Sequence, residues 1–320
     1  MFNRKVAVLT SGGDSPGMNA AIKSIVYNSI YYGFEVYGIQ DGFKGIYENK
    51  IIPLNKELVF NIGNKGGTIL GTSRCMSLMT DPNKVKKSLE NLKKHKIEEL
   101  IIIGGNGSYK GAMVFEKSNI KCIALPGTID NDIPKNDFSI GFSTAVNTIM
   151  KLVLKLKDTA RSHKRCMIIE TMGRFEGHLT LYGGISSSCE LIITRENLIS
   201  KTEILEKVKS FFNNGNDIVS IIITEGIMDI HELASQIEEY SGYECRTQVL
   251  GHIQRGGNPT SEDFILATKM GSYSVELLRK NIHNCAVCIQ NNRIMNFSFE
   301  EIFKNKKKIE NLYSVFNKFF

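Results

Sequence analysis

The 320-residue chain has no tryptophan, only six prolines, and no apolar run near the ~18 residues that a membrane-spanning helix needs. No helical membrane span is expected. The opening Met1-Phe2-Asn3-Arg4 leads directly into a strand-like run and does not have the form of a secretory leader. Neither GxxxxGK[ST] nor a strict GxGxxG occurs, which disfavours a P-loop enzyme and a dinucleotide fold. The seven cysteines (75, 122, 166, 189, 245, 285 and 288) are an odd, scattered set, expected as reduced thiols in the cytoplasm. Only Cys285 and Cys288 have a CxxC spacing, in an apolar stretch with no second pair to complete a zinc site.

What is present is ordinary for a globular protein: 42% hydrophobic and 23% charged residues. The net charge of +7 is spread thinly, and the patch from Lys304 to Lys308 reads as a solvated face. No basic stripe interleaved with aromatics appears, so no nucleic-acid partner is expected. Arginine is the scarcer base, with ten against thirty lysines, and where such a chain still uses arginine a bidentate anion contact is worth suspecting.

The length suggests two subdomains, or one large body with a lobe. Short runs, apolar on both faces, alternate with helical patterns: Val6 to Leu9, Leu100 to Ile103, Cys122 to Leu125, Met167 to Ile169, Leu191 to Ile193 and Val219 to Ile223. Such runs predict central strands of a mostly parallel sheet covered by helices, an α/β fold. One helix carries Ile22, Ile25, Val26 and Ile30 and stops at Gly33; another follows Ser139 with Val146, Ile149, Met150 and Val153 inward. A closing helix is expected from Ile309, carrying Leu312, Tyr313 and Phe316.

In an open parallel sheet, ligands bind beyond the carboxyl ends of the strands. After the first strand comes Thr10-Ser11-Gly12-Gly13-Asp14-Ser15-Pro16-Gly17, suited either to a tight turn or to a phosphate at a helix start. After Ile103 comes Gly104-Gly105-Asn106-Gly107-Ser108, a second loop of this kind, and the pair suggests a polyphosphate laid across strand ends. After Leu125 comes Pro126-Gly127-Thr128-Ile129-Asp130-Asn131-Asp132, whose two carboxylates suit general-base work beside a hard cation such as Mg²⁺. A bare DxD more often caps a turn, but two neighbouring glycine loops favour the chemical use. The basic elements Arg165, Met172-Gly173-Arg174, Arg246 and His252-Ile253-Gln254-Arg255 follow strands and favour a phosphorylated substrate.

Together, Leu9 to Asp14, Gly17-Met18-Asn19-Ala20-Ala21, Pro126 to Asp132, Met172 to Arg174 and Gly251 to Gly257 closely resemble the ATP-dependent 6-phosphofructokinases of the bacterial type, from about Val6 to about Gln290. The resemblance implies two doubly wound, mostly parallel-sheet lobes with the active site in the cleft between them. A nucleotide-binding lobe would hold 1–140 and about 254–306, and a fructose-6-phosphate lobe 141–253 and about 307–320. The implied reaction is a glycolytic one, phosphorylation of fructose 6-phosphate by ATP with Mg²⁺ in a cytoplasmic homotetramer. Asp130 would be the base, with Thr128 and Asp132 beside it, and Arg174 would stabilise the transferring phosphoryl group. Gly12, Arg74, Cys75, Gly105, Asn106, Gly107 and Ser108 fall on nucleotide positions. Met172, Gly173, Glu225, His252 and Arg255 fall on sugar-phosphate positions, and Arg165 and Arg246 on residues lent across a subunit interface.

Glycine at 107 and 127 argues for ATP, because pyrophosphate-using relatives resemble Asp and Lys there. The family's second loop has Asp where this chain has Asn106, so Asn106 and Asp132 are the expected Mg²⁺ ligands with one charge fewer. Cys75 stands where an aromatic usually covers the adenine. Lys23, Lys56, Lys157 and Glu190 match the family's effector pocket, whereas Tyr27, Asn214, Asn216 and Asp217 replace basic residues. Poor anion binding is expected there. A weakened regulatory or structural subunit, or a pyrophosphate-dependent kinase, are the alternative readings.

Overall fold

The computed structural model describes residues 4–75, 78, 80–304, 307 and 312–316. The chain divides into two compact units, 1–144 with 255–307 and 145–254 with 308–320. Much of the patch from Lys304 to Lys308, and the tail between Ile309 and Asn311, lie outside the described residues. The final described helix is Leu312–Phe316.

The first unit is built on a seven-stranded sheet in the order β11-β10-β5-β4-β1-β2-β3. In chain order these strands are β1 (Lys5–Ser11), β2 (Glu35–Ile39), β3 (Ile51–Leu54), β4 (Glu99–Gly104), β5 (Lys121–Pro126), then β10 (Cys285–Gln290) and β11 (Arg293–Ser298). β10, β5, β4, β1 and β2 run parallel, and only the edge strands β3 and β11 are antiparallel. Alternate side chains feed two cores. Val6, Val8, Ile101 and Ile103 pack on one face with Ile22 and Ile25, while Ala7, Leu9, Leu100 and Ile102 pack on the other with Phe43 and Phe115. Each such buried aliphatic is worth roughly 1.5–3 kcal/mol, so no register slip is tolerated.

The chain leaves β1 towards β2 on one side and returns to β4 on the other, so the strand order reverses between β1 and β4. The loops after these two strands therefore flank the crevice where this kind of sheet takes ligands. Cys285 and Cys288 point into opposite cores of β10, and burial pushes both thiols up to about 12. They cannot share a metal ion.

The second unit carries a four-stranded parallel sheet, β7-β8-β6-β9, from β6 (Cys166–Thr171), β7 (Leu191–Ile193), β8 (Val219–Thr224) and β9 (Cys245–Val249). Cys166, Ile168, Ile221 and Ile223 meet Ile204, Val208, Leu233 and Ile237 of the helices Lys201–Asn213 and Ile230–Ser241. On the other face the helix His178–Ser186 lies close enough that a Cβ on Gly184 would meet Ile192 and Ile222 at 2.7 Å. The helix Phe142–His163 buries Ala145, Ile149, Val153 and Ala160. Val146 and Met150, expected inward, are only half-buried on the flank of that i,i+4 row. The chain passes from β6 across β8 to β7 and from β8 across β6 to β9, so the connections leaving these two neighbouring strands run in opposite directions.

Candidate active site

In the first unit three loops meet beyond the carboxyl ends of β1, β4 and β5. Gly12 adopts φ 90°, a left-handed conformation open to glycine. Its N–H donates to Ser73 O at 3.3 Å and its carbonyl accepts from Thr72 Oγ1 at 3.0 Å, which draws the segment with Arg74 and Cys75 to the first glycine loop. Arg74 is exposed and Cys75 half-buried. A Cβ on Gly13 would lie 2.8 Å from Arg255 Nη1, so the Arg255 guanidinium rests on bare backbone there.

Gly105 caps the helix Asn106–Glu116, and Ser108 Oγ donates to Ser11 O at 3.1 Å, tying the second glycine loop to β1. Gly107 faces open space. The third loop is joined to the second through Gly127 N–H to Gly104 O at 3.0 Å and Asn106 Nδ2 to Asp132 Oδ2 at 2.8 Å. Asp130 is 6% exposed, and its N–H donates to Thr128 Oγ1 at 3.2 Å. Asn131, left-handed at φ 51°, braces this turn by accepting from Ser139 N at 2.9 Å and donating to Asp137 O at 3.0 Å. Sequence reasoning assigned it no role, although asparagine between two aspartates is a signal for such a turn.

The Asn106 amide nitrogen is committed to Asp132, and its Oδ1 is buried with no hydrogen-bond partner among the described residues. With the Asp132 carboxylate beside it, this offers oxygen donors, the chemistry a hard divalent cation takes.

In the second unit, the loop after β6 places Met172, Gly173 and Arg174 beside Glu225, which follows β8. Glu225 Oε1 accepts from Gly173 N at 3.3 Å and Arg174 N at 3.1 Å. Gln254, fully buried, accepts from Met172 N at 3.3 Å and donates to Gly251 O at 2.9 Å, joining this loop to the turn that carries exposed His252. Burial, then the Glu225 charge, raise the Glu170 carboxyl above its ordinary value. Arg165 and Arg246 are brought together at the other end of the sheet. There Glu244 pairs with Arg165 at 3.6 Å and bonds Arg246, which also bonds Glu238 at 3.0 Å. Seven residues of extended chain separate Arg165 from Met172, ~23 Å at ~3.3 Å per residue.

The expected effector residues are also parted between the units. In the first, Lys23 Nζ donates to Phe60 O at 2.7 Å, and both Lys23 and Lys56 lie over the Tyr27 ring. In the second, Lys157, 7% exposed, donates to Ser188 O at 2.5 Å and Glu190 Oε1 at 3.3 Å, while Asp217 pairs with Lys164.

The phosphofructokinase family model matches residues 5–278. The chain belongs to the phosphofructokinase family. This phosphofructokinase is 44% identical over 306 residues to the ATP-dependent 6-phosphofructokinase of Glaesserella parasuis, covering 95% of each chain. It is 44% identical over 313 residues to the ATP-dependent 6-phosphofructokinase of Bacillus velezensis, covering 98% of each. A phosphofructokinase structure from Saccharomyces cerevisiae superposes with a TM-score of 0.85 at 29% identity, over 93% of this chain and 45% of the yeast chain. A pyrophosphate-dependent phosphofructokinase from Marinobacter aquaeolei, at TM-score 0.86 and 20% identity over 97% of this chain and 86% of that one, shares the fold.

Asn106→Asp in this phosphofructokinase replaces a charge-assisted hydrogen bond with two facing carboxylates. Without divalent cation its thermal midpoint should fall by roughly 3 °C or more, and millimolar Mg²⁺ should restore it, with a lower Mg²⁺ concentration needed for half-maximal effect than in the parent. Unchanged midpoints in a calorimetric scan would contradict the contact described.

Proposed function

We propose that the chain transfers the γ-phosphoryl group of ATP to the 1-hydroxyl of fructose 6-phosphate, giving the 1,6-bisphosphate and ADP, as a cytoplasmic enzyme of glycolysis. The observation that carries this reading is the buried Asp130, set by Thr128 and Asn131 beside two glycine loops at a sheet switch point. Asp130 takes the proton of the 1-hydroxyl as that oxygen attacks phosphorus; the bond to the β–γ bridging oxygen breaks, and ADP leaves. The Arg174 guanidinium offsets charge that develops on the transferring oxygens, the largest contribution in phosphoryl transfer.

Gly105 and Gly107 present backbone N–H groups to the ATP phosphates in loops shaped by Gly12 and Ser108, with Arg74 as a cation and Cys75 against the base. The open space at Gly107 leaves room for the rest of ATP, which favours it over pyrophosphate as donor. Asn106 and Asp132 would hold Mg²⁺, which when bound neutralises phosphate charge. Met172, Gly173, Glu225, His252 and Arg255 bind the sugar phosphate. Arg165 and Arg246 lie ~23 and ~17 Å along the strands from Met172 and serve the site of a second copy in a homotetramer. Retention of Asp130, Asp132, Arg174 and Arg255 favours catalysis over a regulatory role.

Lys157 and Asp217 are already engaged by Glu190 and Lys164, and Tyr27 supplies no charge. An anionic effector would have to displace these internal pairs. Millimolar phosphoenolpyruvate or ADP should therefore leave the half-saturation point for fructose 6-phosphate within about twofold, since each lost charged contact removes ~1.5–3 kcal/mol. A large shift by phosphoenolpyruvate that ADP reverses contradicts this. For the reaction itself, Asp130→Ser should lower turnover at least ~10²-fold in a coupled assay with substrate binding largely kept. Near-normal turnover removes Asp130 from the base role.

A further inference from the structure

We propose that Arg195 is a positioning residue that clamps the backbone of Arg174 and Glu225; the inference rests on the role assigned to Arg174 above. Arg195 lies just beyond β7, and its exposed guanidinium is turned onto three carbonyls of two other loops. Nε donates to Arg174 O at 2.8 Å, and Nη2 donates to Glu225 O at 3.3 Å and Gly226 O at 3.2 Å.

The Arg174 backbone needs such a restraint. It adopts φ 53°, after Gly173 at φ 147°, and a left-handed conformation is unfavourable for a non-glycine residue because its Cβ crowds the following carbonyl oxygen. Its peptide groups are held from both sides: the N–H by Glu225 Oε1 at 3.1 Å, the carbonyl by Arg195. The next residue of the same loop, Glu196, accepts from Gly177 N at 3.1 Å. Arg195 and Glu196 thus grip the two ends of the loop from Arg174 to Gly177. Their own segment is closed by reciprocal backbone hydrogen bonds between Thr194 and Asn197 at 3.3 and 3.2 Å, and by Asn197 Nδ2 to Ile192 O at 3.3 Å, so the grip is built before substrate arrives.

An ammonium cannot replace this fork, because one point charge on a flexible stem does not span carbonyls of two loops. The direction of the effect follows. With Arg195 the Arg174 side chain leaves a fixed backbone and meets the transferring phosphoryl in one place; without it the loop relaxes out of the left-handed region and Arg174 arrives there only part of the time. Misplacement of a charge-stabilising donor lowers turnover more than ground-state binding.

The test combines kinetics with a readout that needs no activity. Trypsin cuts after arginine, and Phe175 is 80% exposed, so the Arg174–Phe175 bond reports how tightly the loop is held. Arg195→Ala should raise the cleavage rate at that bond about tenfold, with a thermal midpoint within about 2 °C of the parent because Arg195 is exposed. Its kcat should fall about tenfold with the KM for ATP nearly unchanged, and Arg195→Lys should recover only part of the loss. In an Arg174→Ala background the same change should cost less than about twofold, because the group being positioned is gone. Unchanged cleavage, a parental kcat, or an equal kcat loss in both backgrounds overturns the clamp. Near-normal turnover of Arg174→Ala alone identifies the failure as that of the role given to Arg174, and overturns the inference with it.

Discussion

The hydrogen bond from Asn106 to Asp132 is the contact on which the first unit's site depends. β4 and β5 are neighbours in register from Glu99 and Lys121 to Gly104 and Pro126, and beyond them the chain must turn in two directions at once. Gly104 and Gly127 allow the backbones to close to 3.0 Å, and Asn106 then carries the union out to the carboxylate. Asp130 lies between these anchors, two residues from each of Thr128 and Asp132, and has little freedom left. The second glycine loop and Asp130 are thereby held at a fixed separation by the sheet, and positioning supplies much of what a phosphoryl transfer needs.

The second unit solves a related problem by different means. Its loops after β6 and β8 start from one backbone hydrogen bond, Glu225 N–H to Thr171 O at 2.8 Å. A carboxylate and a guanidinium carry the link further out: Glu225 reaches back to the peptides of Gly173 and Arg174, and Arg195 reaches to the carbonyls of both loops. The opposite end of the same sheet carries Arg165 and Arg246 on Glu244, a pairing that holds both arginines in place. One sheet thus carries arginines at both ends.

Strands that are apolar on both faces were legible: β1, β4, β5, β6, β7 and β8 each contain a run that stands out in the sequence. The edge strands β3, β9 and β11 were not. β3 contains Pro53, β9 reads Cys-Arg-Thr-Gln-Val, and β11 alternates exposed and half-buried residues, so none forms a continuous apolar run. In the helix Phe142–His163 the expected Ile149 and Val153 are buried, while Ala145 and Lys157 complete the row in place of Val146 and Met150, because a small residue and a lysine do not stand out as core. The glycine loops and the Thr128 to Asp132 segment were recognisable from composition alone. What composition could not reveal was which side chain holds which: the bracing by Asn131, the link through Gln254 and the grip of Arg195 are tertiary contacts between residues 6 to 82 positions apart.

The measurement that bears most directly on this account is the initial rate of fructose 1,6-bisphosphate formation from fructose 6-phosphate with Mg²⁺ and either ATP or pyrophosphate as donor. The loops after β1, β4 and β5, with the open space at Gly107, predict turnover with ATP and a rate with pyrophosphate lower by ~10²-fold or more. Comparable or faster turnover with pyrophosphate, or none with either donor, would contradict it.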